Sequence, residues 1–476
     1  MNVLAIDQGT SATKALITGP GNQILGSGEV PVRTRTVGTD GVEADPEELF
    51  ASVVAAGRQA LASARAPAHA VALANQGETV LAWDRSSGTP LTPAIVWQDR
   101  RSATVCDRLA GQAGELQAIT GLPLDPYFAA PKMTWLREHL TTDGVVTTTD
   151  TWLLHRLGAG YVTDASTASR TMLLDLDAAA WSEAACKAFG IDPEKLPAVA
   201  GCAGFAGETA AFGGPPLPIT GVAVDQQAAL LAQRCLAAGD AKCTYGTGAF
   251  LLVTSGSRAA RSKSGLSASV AWRLAGAATY CLDGQVYTAG SAIRWLCDIG
   301  VLGTPEELDA VGRTVPDSGG VLFVPALAGL GAPHWAPDAR GLFTGLRLGT
   351  ERGHLVRAVA EGIAAAVAAA ADAAAADLGV PLASLKVDGG LTRSALLMQA
   401  QADLLQLPVR ISPAPDATAL GAAALARLGA GDAAALAEAV GPAELEELVV
   451  PSISADQADE RTAVFRSALQ LSLPER

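Results

Sequence analysis

Asn2-Val3-Leu4-Ala5-Ile6-Asp7-Gln8-Gly9-Thr10-Ser11-Ala12-Thr13-Lys14-Ala15-Leu16-Ile17 is a pair of short apolar runs joined by a polar, glycine-bearing tip. Two such runs flanking a compact polar linker predict a β-hairpin. Gly19-Pro20-Gly21-Asn22 then turns the chain into a third strand near 24–32. The tip itself has chemical content. Asp7 ends the first run, and a glycine, three hydroxyl residues and Lys14 follow it. Glycine admits close approach of the backbone, hydroxyls and amides donate hydrogen bonds, and lysine adds positive charge, a set suited to a cation with phosphate oxygens. An ordinary polar hairpin tip draws on the same residue types.

Outward from this hairpin, 47–65 reads as a helix and 69–75 as a strand ending at Asn75-Gln76-Gly77-Glu78-Thr79. A second hairpin opens near mid-chain, where Lys242-Cys243-Thr244-Tyr245 leads through Gly246-Thr247-Gly248-Ala249 into the strand-like Phe250–Thr254. Two Gly-Thr tips half a chain apart predict a duplicated α/β fold with one nucleotide-binding hairpin per half. The turn Leu236-Ala237-Ala238-Gly239-Asp240 places the boundary, giving domains over 1–236 and 237–476. Val387-Asp388-Gly389-Gly390-Leu391 predicts a strand, a double glycine and a helix from about Arg393. A planar ligand could lie on that bare backbone at the helix start; a plain helix-entry turn would look the same.

A chain of 476 residues exceeds what one core usually organises, in keeping with two domains. Net charge is −14 with both signs interspersed, which disfavours nucleic acid or an anionic membrane as a bulk partner. The seven cysteines are scattered without a CxxC or a nearby histidine, so they read as reduced thiols and not as a zinc site. No basic, apolar and small-residue leader pattern follows Met1, and the alanine-rich stretch Ala358–Leu378 is broken by Glu361, Asp372 and Asp377. The expectation is a cytoplasmic chain without membrane insertion, that stretch being a helix inside a domain.

Asp225 stands where the apolar run Gly221–Val224 meets a predicted helix. A carboxylate there could accept a proton from a substrate hydroxyl, or simply cap the helix. Glu78 could bind hydroxyls or be a solvated surface carboxylate. Trp97 and Tyr127 could wall a sugar site or lie in the core. The five histidines form no cluster, and no hydrolytic triad order stands out.

Together these segments resemble the FGGY carbohydrate kinases, most closely the glycerol kinases among them. The resemblance runs in family order over about the first 430 residues. It includes Ile95–Arg101, Leu124–Phe128, Lys132–Leu136, Asp164–Arg170 (DASTASR), Asp225-Gln226-Gln227, Thr244–Phe250, Gly329–Trp335, Gly341–Leu346, Asp388-Gly389-Gly390 and Ala419–Ala423. It implies an actin-like ATPase fold: two RNase H-like domains, each a mixed sheet flanked by helices, with the site in the cleft between them. It implies ATP and Mg²⁺ as cofactors, glycerol or another small polyol as acceptor, and a homo-oligomer, dimer or tetramer. Asp225 would be the general base, and Asp7 would hold Mg²⁺ through water. Thr10, Ser11, Ala12, Lys14, Thr247 and Gly248 would hold phosphates, with Gly290, Arg294, Gly390 and Ser394 on the nucleotide. Glu78, Tyr127, Asp225 and Gln226 would bind acceptor hydroxyls, with Gly77 beside them, while Trp97 and Phe250 pack on the carbon skeleton.

Three departures stand out. Gly77 replaces an arginine that typically donates to a terminal hydroxyl, a contact whose loss costs about 1.5–3 kcal/mol. The glycine also predicts extra space, so a tetritol, pentitol or pentulose is an alternative acceptor; a non-kinase actin-like ATPase is a more distant one. Lys14 keeps the charge of a usual arginine without its fork. Ser394-Ala395 replaces an Asn-Asn pair near the base, which predicts looser base discrimination.

Overall fold

The computed structural model describes residues 1–413, 416–442 and 446–473. In its first half, β1 (Val3–Gln8), β2 (Ala12–Thr18), β3 (Ile24–Pro31), β4 (Ala70–Asn75), β5 (Ala203–Thr209) and β6 (Leu217–Val224) form one sheet in the order β5-β6-β4-β1-β2-β3. The opening hairpin is real: β1 and β2 pair antiparallel with Asp7 opposite Lys14. On its other side β1 runs parallel to β4, and β4 parallel to β6. Val3, Leu4, Ala5 and Ile6 are all fully buried, which is why they read as an unbroken apolar run rather than an alternating one. Helix α1 (Pro46–Ser63) covers part of this sheet and begins where Asp45 accepts from the Glu47 amide with Pro46 in the first turn. Helix α2 (Asp225–Ala232) springs directly from β6.

The second half repeats the plan. Strands β7 (Ala241–Tyr245), β8 (Ala249–Gly256), β9 (Ser267–Leu274), β10 (Ala277–Val286), β11 (Leu385–Asp388), β12 (Val409–Ile411) and β13 (Glu447–Val449) are ordered β9-β10-β8-β7-β11-β12-β13. Again a hairpin, β7 with β8, has its first strand parallel to a later one, β11. Each half therefore has a first strand flanked by its hairpin partner on one side and by a parallel strand on the other. This is the duplication that the two Gly-Thr tips suggested, and the two-domain actin-like fold that the resemblance implied.

Around this second sheet lie α3 (Gly290–Asp298), α4 (Arg352–Leu378) and α5 (Ala395–Leu405). Alanine lets α4 sit close: a Cβ on Gly284 of β10 would come within 2.8 Å of the Ala370 Cβ. In its most apolar window 72% of α4 is buried, as expected of a helix inside a domain. Helix α5 starts at Ala395 and not near Arg393, because Gly390–Arg393 first make a 3₁₀ turn and Ser394 then caps the helix by accepting from the Leu397 amide.

Helix α6 (Ala417–Gly429) belongs to the second half by position but packs on the first sheet and on α2. Small residues make the approach possible. A Cβ on Gly421 would lie 1.8 Å from the Ala228 carbonyl oxygen, and one on Gly221 would lie 2.5 Å from the Ala426 nitrogen. Thr220 Oγ1 donates to the Ala426 carbonyl at 2.9 Å. Finally α7 (Ala455–Ser472) folds back beside α4 and α5, burying Phe465 and Leu469.

Candidate active site

A cavity of about 370 Å³ opens between the two sheets, walled by the Gly9–Ser11 tip, the ends of β4 and β6, and the β7–β8 hairpin with β10. An aromatic wall runs through it from both halves. The Trp97 ring lies 5.7 Å from that of Tyr127 and 6.1 Å from that of Phe250, both edge-on. Trp97 is fixed further by its indole N–H, which donates to Thr10 Oγ1 at 2.9 Å, and Thr10 in turn donates to Gln76 Oε1 at 3.2 Å. The tip hydroxyl is thus tied to the wall. Lys132, fully buried, donates to the carbonyls of Pro126, Tyr127 and Phe128 and so pins the loop that presents Tyr127; burial lowers this amine's pKa to about 8.

Glu78 is not a surface carboxylate. It is 4% exposed and sits at φ 58, a left-handed conformation uncommon outside glycine. Its Oε1 accepts from Arg170 Nε at 2.6 Å, and Arg170 Nη1 reaches Asp283 on β10. Burial raises the carboxyls of Glu78 and Asp283, while the guanidinium pulls both back down. The guanidinium thereby links the end of β4 in the first sheet to a strand of the second.

The expected gap at Gly77 is narrower than the sequence suggests. A Cβ there would stand 2.9 Å from Val224 Cγ2, so a neighbour already occupies the root of the missing side chain. Val224 directly precedes Asp225, whose backbone position is the first turn of α2. Asp225 does not act as the side-chain cap of α2; its Oδ1 accepts from the adjacent Gln226 amide at 2.7 Å. Burial raises its carboxyl, opposed by the Gln226 amide, Lys242 and Arg170. Lys242 Nζ donates to Gln226 Oε1 at 2.7 Å and Thr244 Oγ1 at 2.9 Å, holding the residue beside Asp225 from underneath.

The second hairpin tip is tightly built. Gly246 N donates to the Gly248 carbonyl, and the amides of Ala289, Gly290 and Ser291 at the start of α3 donate back to the carbonyls of Thr247 and Gly246. A Cβ on Gly290 would lie 2.5 Å from the Gly246 oxygen, so only glycine permits this closeness. Arg294 Nη2 lies 3.4 Å from Thr247 Oγ1. Gly246, Thr247 and Arg294 also line a second cavity of about 400 Å³ that reaches Gly390 and Ser394. Two neighbouring spaces that share a Gly-Thr tip suit a small acceptor on one side and a nucleotide on the other.

Most of the predicted residues therefore converge on these two cavities. Asp7, Ala12, Lys14 and Gly248 do not line either one, and the Lys14 ammonium lies 3.3 Å from Asp416. Ser394 does line the second cavity, but its hydroxyl is committed: it caps α5 and contacts Asp309. Beside the tip of the first hairpin, burial together with Asp225 and Asp416 pushes the Asp7 carboxyl up to about 7, against the pull of Lys14. That excess of negative charge fits a divalent cation. No group of three or more metal-ligating side chains occurs among the described residues, so such an ion would complete its shell from phosphates and water.

Arg170, Lys242, Asp283 and Gln285 escaped prediction from sequence. Arg170 lay inside the DASTASR motif without an assigned role. Asp283 and Gln285 carried a signal, being polar residues two apart in an otherwise apolar strand, the spacing that puts both on one face.

Comparison with known proteins follows this geometry. The family model for the N-terminal domain of the FGGY family of carbohydrate kinases matches residues 2–232, and that for the C-terminal domain matches 241–430. A glycerol kinase of Thermus brockianus is 45% identical over 445 residues, covering 90% of each chain. A glycerol kinase of Alkalilimnicola ehrlichii is 42% identical over 487 residues, covering 98% of this chain and 97% of the other. Among solved structures, the Plasmodium falciparum glycerol kinase with ADP superposes with a TM-score of 0.91 at 30% identity, covering 100% and 99% of the two chains.

Proposed function

Because the chain belongs to the FGGY family of carbohydrate kinases, we propose that it transfers the terminal phosphoryl group of ATP to a primary hydroxyl of glycerol, giving ADP and glycerol 3-phosphate. The observation that carries this is the cleft itself. A half-buried carboxylate, Asp225, shares one small cavity with the Glu78–Arg170 pair and the Trp97–Tyr127–Phe250 wall. That cavity shares its Thr247 tip with a second one, and the relatives named above are glycerol kinases. The crowding of Gly77 by Val224 supports a short acceptor over a longer one.

In this reading the acceptor hydroxyl gives its proton to Asp225, its oxygen attacks the γ-phosphorus, and the bond to the bridging oxygen breaks as ADP departs. Little covalent work falls to the protein, so positioning and charge neutralisation supply most of the rate. Glu78, Gln226 and Tyr127 hold hydroxyls, and Trp97 and Phe250 exclude water from the carbon skeleton. Thr10, Ser11, Thr247 and Gly248 hold phosphate oxygens, while Gly290, Arg294, Gly390 and Ser394 face the nucleoside side. A magnesium ion arriving with ATP would be held through water by Asp7 and would neutralise phosphate charge. The same reading assigns domains over 1–236 and 237–476, a cytoplasmic enzyme and a dimeric or tetrameric assembly.

The test is ADP release from MgATP without acceptor and with glycerol, erythritol, pentitols and pentuloses, beside Asp225→Asn. Glycerol should stimulate release, and the variant should lose about 10²–10⁴-fold in that stimulated rate. Acceptor-independent hydrolysis that the variant leaves unchanged would refute the kinase reading. Stimulation only by a longer acceptor would refute glycerol.

A further inference from the structure

One buried polar side chain in the acceptor cavity has no part in the chemistry above. Gln285 is 2% exposed, lines the cavity, and pairs directly across the ladder with Phe250 of the aromatic wall. Its Nε2 donates to Asp283 Oδ1. A carboxylate oxygen only accepts, so this bond fixes which way the amide faces. The other end, Oε1, is buried and has no hydrogen-bond partner among the described residues. An acceptor oxygen left unpaired in the interior is unfavourable and calls for a donor that the folded chain does not supply. Asp283 is held by Arg170, which is held by Glu78. Gln285 is therefore the end of a rigid buried series that reaches from one wall of the cavity to the other.

Resting on the kinase reading, we propose that Gln285 is a specificity-determining residue: its Oε1 accepts a hydrogen bond from an acceptor hydroxyl other than the one phosphorylated. The contact assists recognition at a site where Gly77 offers no side chain. It also selects for polyols over their deoxy analogues, since a substrate without that hydroxyl leaves the oxygen unpaired.

The experiment compares wild type with Gln285→Met, nearly the same shape without the carbonyl, on glycerol, propane-1,2-diol and propane-1,3-diol. The variant should raise KM for glycerol roughly 3- to 10-fold with kcat within about twofold, the pattern of lost uniform binding. The preference of wild type for glycerol over one of the two diols should shrink by the same factor. Gln285→Asn, which retracts the amide by one methylene, should act the same way and stands in if the methionine variant does not fold. An unchanged KM, or an equal loss on all three acceptors, overturns the assignment while leaving the kinase intact. Absence of glycerol-stimulated ADP release by wild type would overturn the kinase reading first and this one with it.

Discussion

Arg170→Met removes the guanidinium that bridges two buried carboxylates, Glu78 and Asp283, each 4% exposed. Taking away one partner of a buried ion pair costs about 3–5 kcal/mol, because the remaining charge is left unsolvated. Here two charges are stranded, which places the expectation at the upper end of that range. The deficit should depend on pH, and its sign follows from the carboxyls. Burial already raises them, and the guanidinium counteracts it. Without the guanidinium their folded values rise further above the unfolded ones near 4. The folded variant then binds more protons than the unfolded chain, so its stability is present at low pH and is lost as pH rises through the folded values. Guanidinium unfolding followed by the fluorescence of the eight tryptophans reads this out. At pH 8 the variant should lose about 3–5 kcal/mol, and at pH 5 the deficit should be smaller as the carboxyls take up protons. A loss below about 1 kcal/mol, or one identical at both pH values, would show that the guanidinium is not what makes these carboxylates tolerable.

Gly77→Ala places a Cβ 2.9 Å from Val224 Cγ2 and pushes on the residue before Asp225; kcat/KM for glycerol should fall roughly tenfold with no gain for longer acceptors. An arginine at 77 meets the same methyl, so improved glycerol turnover in either variant would contradict this account. Gly290→Ala puts a Cβ 2.5 Å from the Gly246 oxygen and displaces the second tip. ADP binding by calorimetry should weaken roughly tenfold, by the usual 1–3 kcal/mol of overpacking, while KM for glycerol stays put; unchanged ADP affinity would count against the tip as a nucleotide element.

Both hairpins were legible because their strands are largely buried runs and their tips carry glycine, two local signals that agree. Asp225 was legible for a similar reason: an apolar strand stops there and a helix begins. What local pattern could not disclose was pairing. Glu78 was read as a hydroxyl-binding residue, but local pattern left a surface carboxylate equally open, because its partner is 92 residues away in the chain and nothing near position 78 marks it as buried. Gly77 looked like a vacancy because the crowding side chain, Val224, comes from another strand. Ser394 looked available to a base, whereas its hydroxyl serves the start of α5 and Asp309. In each case the missing knowledge was a neighbour distant in sequence, and in each it changed the chemistry assigned to the residue.

The packing of α6 on the first sheet also bears on how the protein is made. The last strand running parallel in that sheet ends at Val224, yet the helix that covers its face ends at Gly429. A ribosome adding about 5–20 residues per second needs roughly 10–40 s to cross that interval. Throughout it, the nascent first half has an uncovered apolar face including Val3, Ala5, Ala72 and Ala74. The two halves are thus not independent folding events in order of synthesis. The first to emerge waits for a helix from the end of the second, and whatever shields that face meanwhile is part of the cost of this architecture.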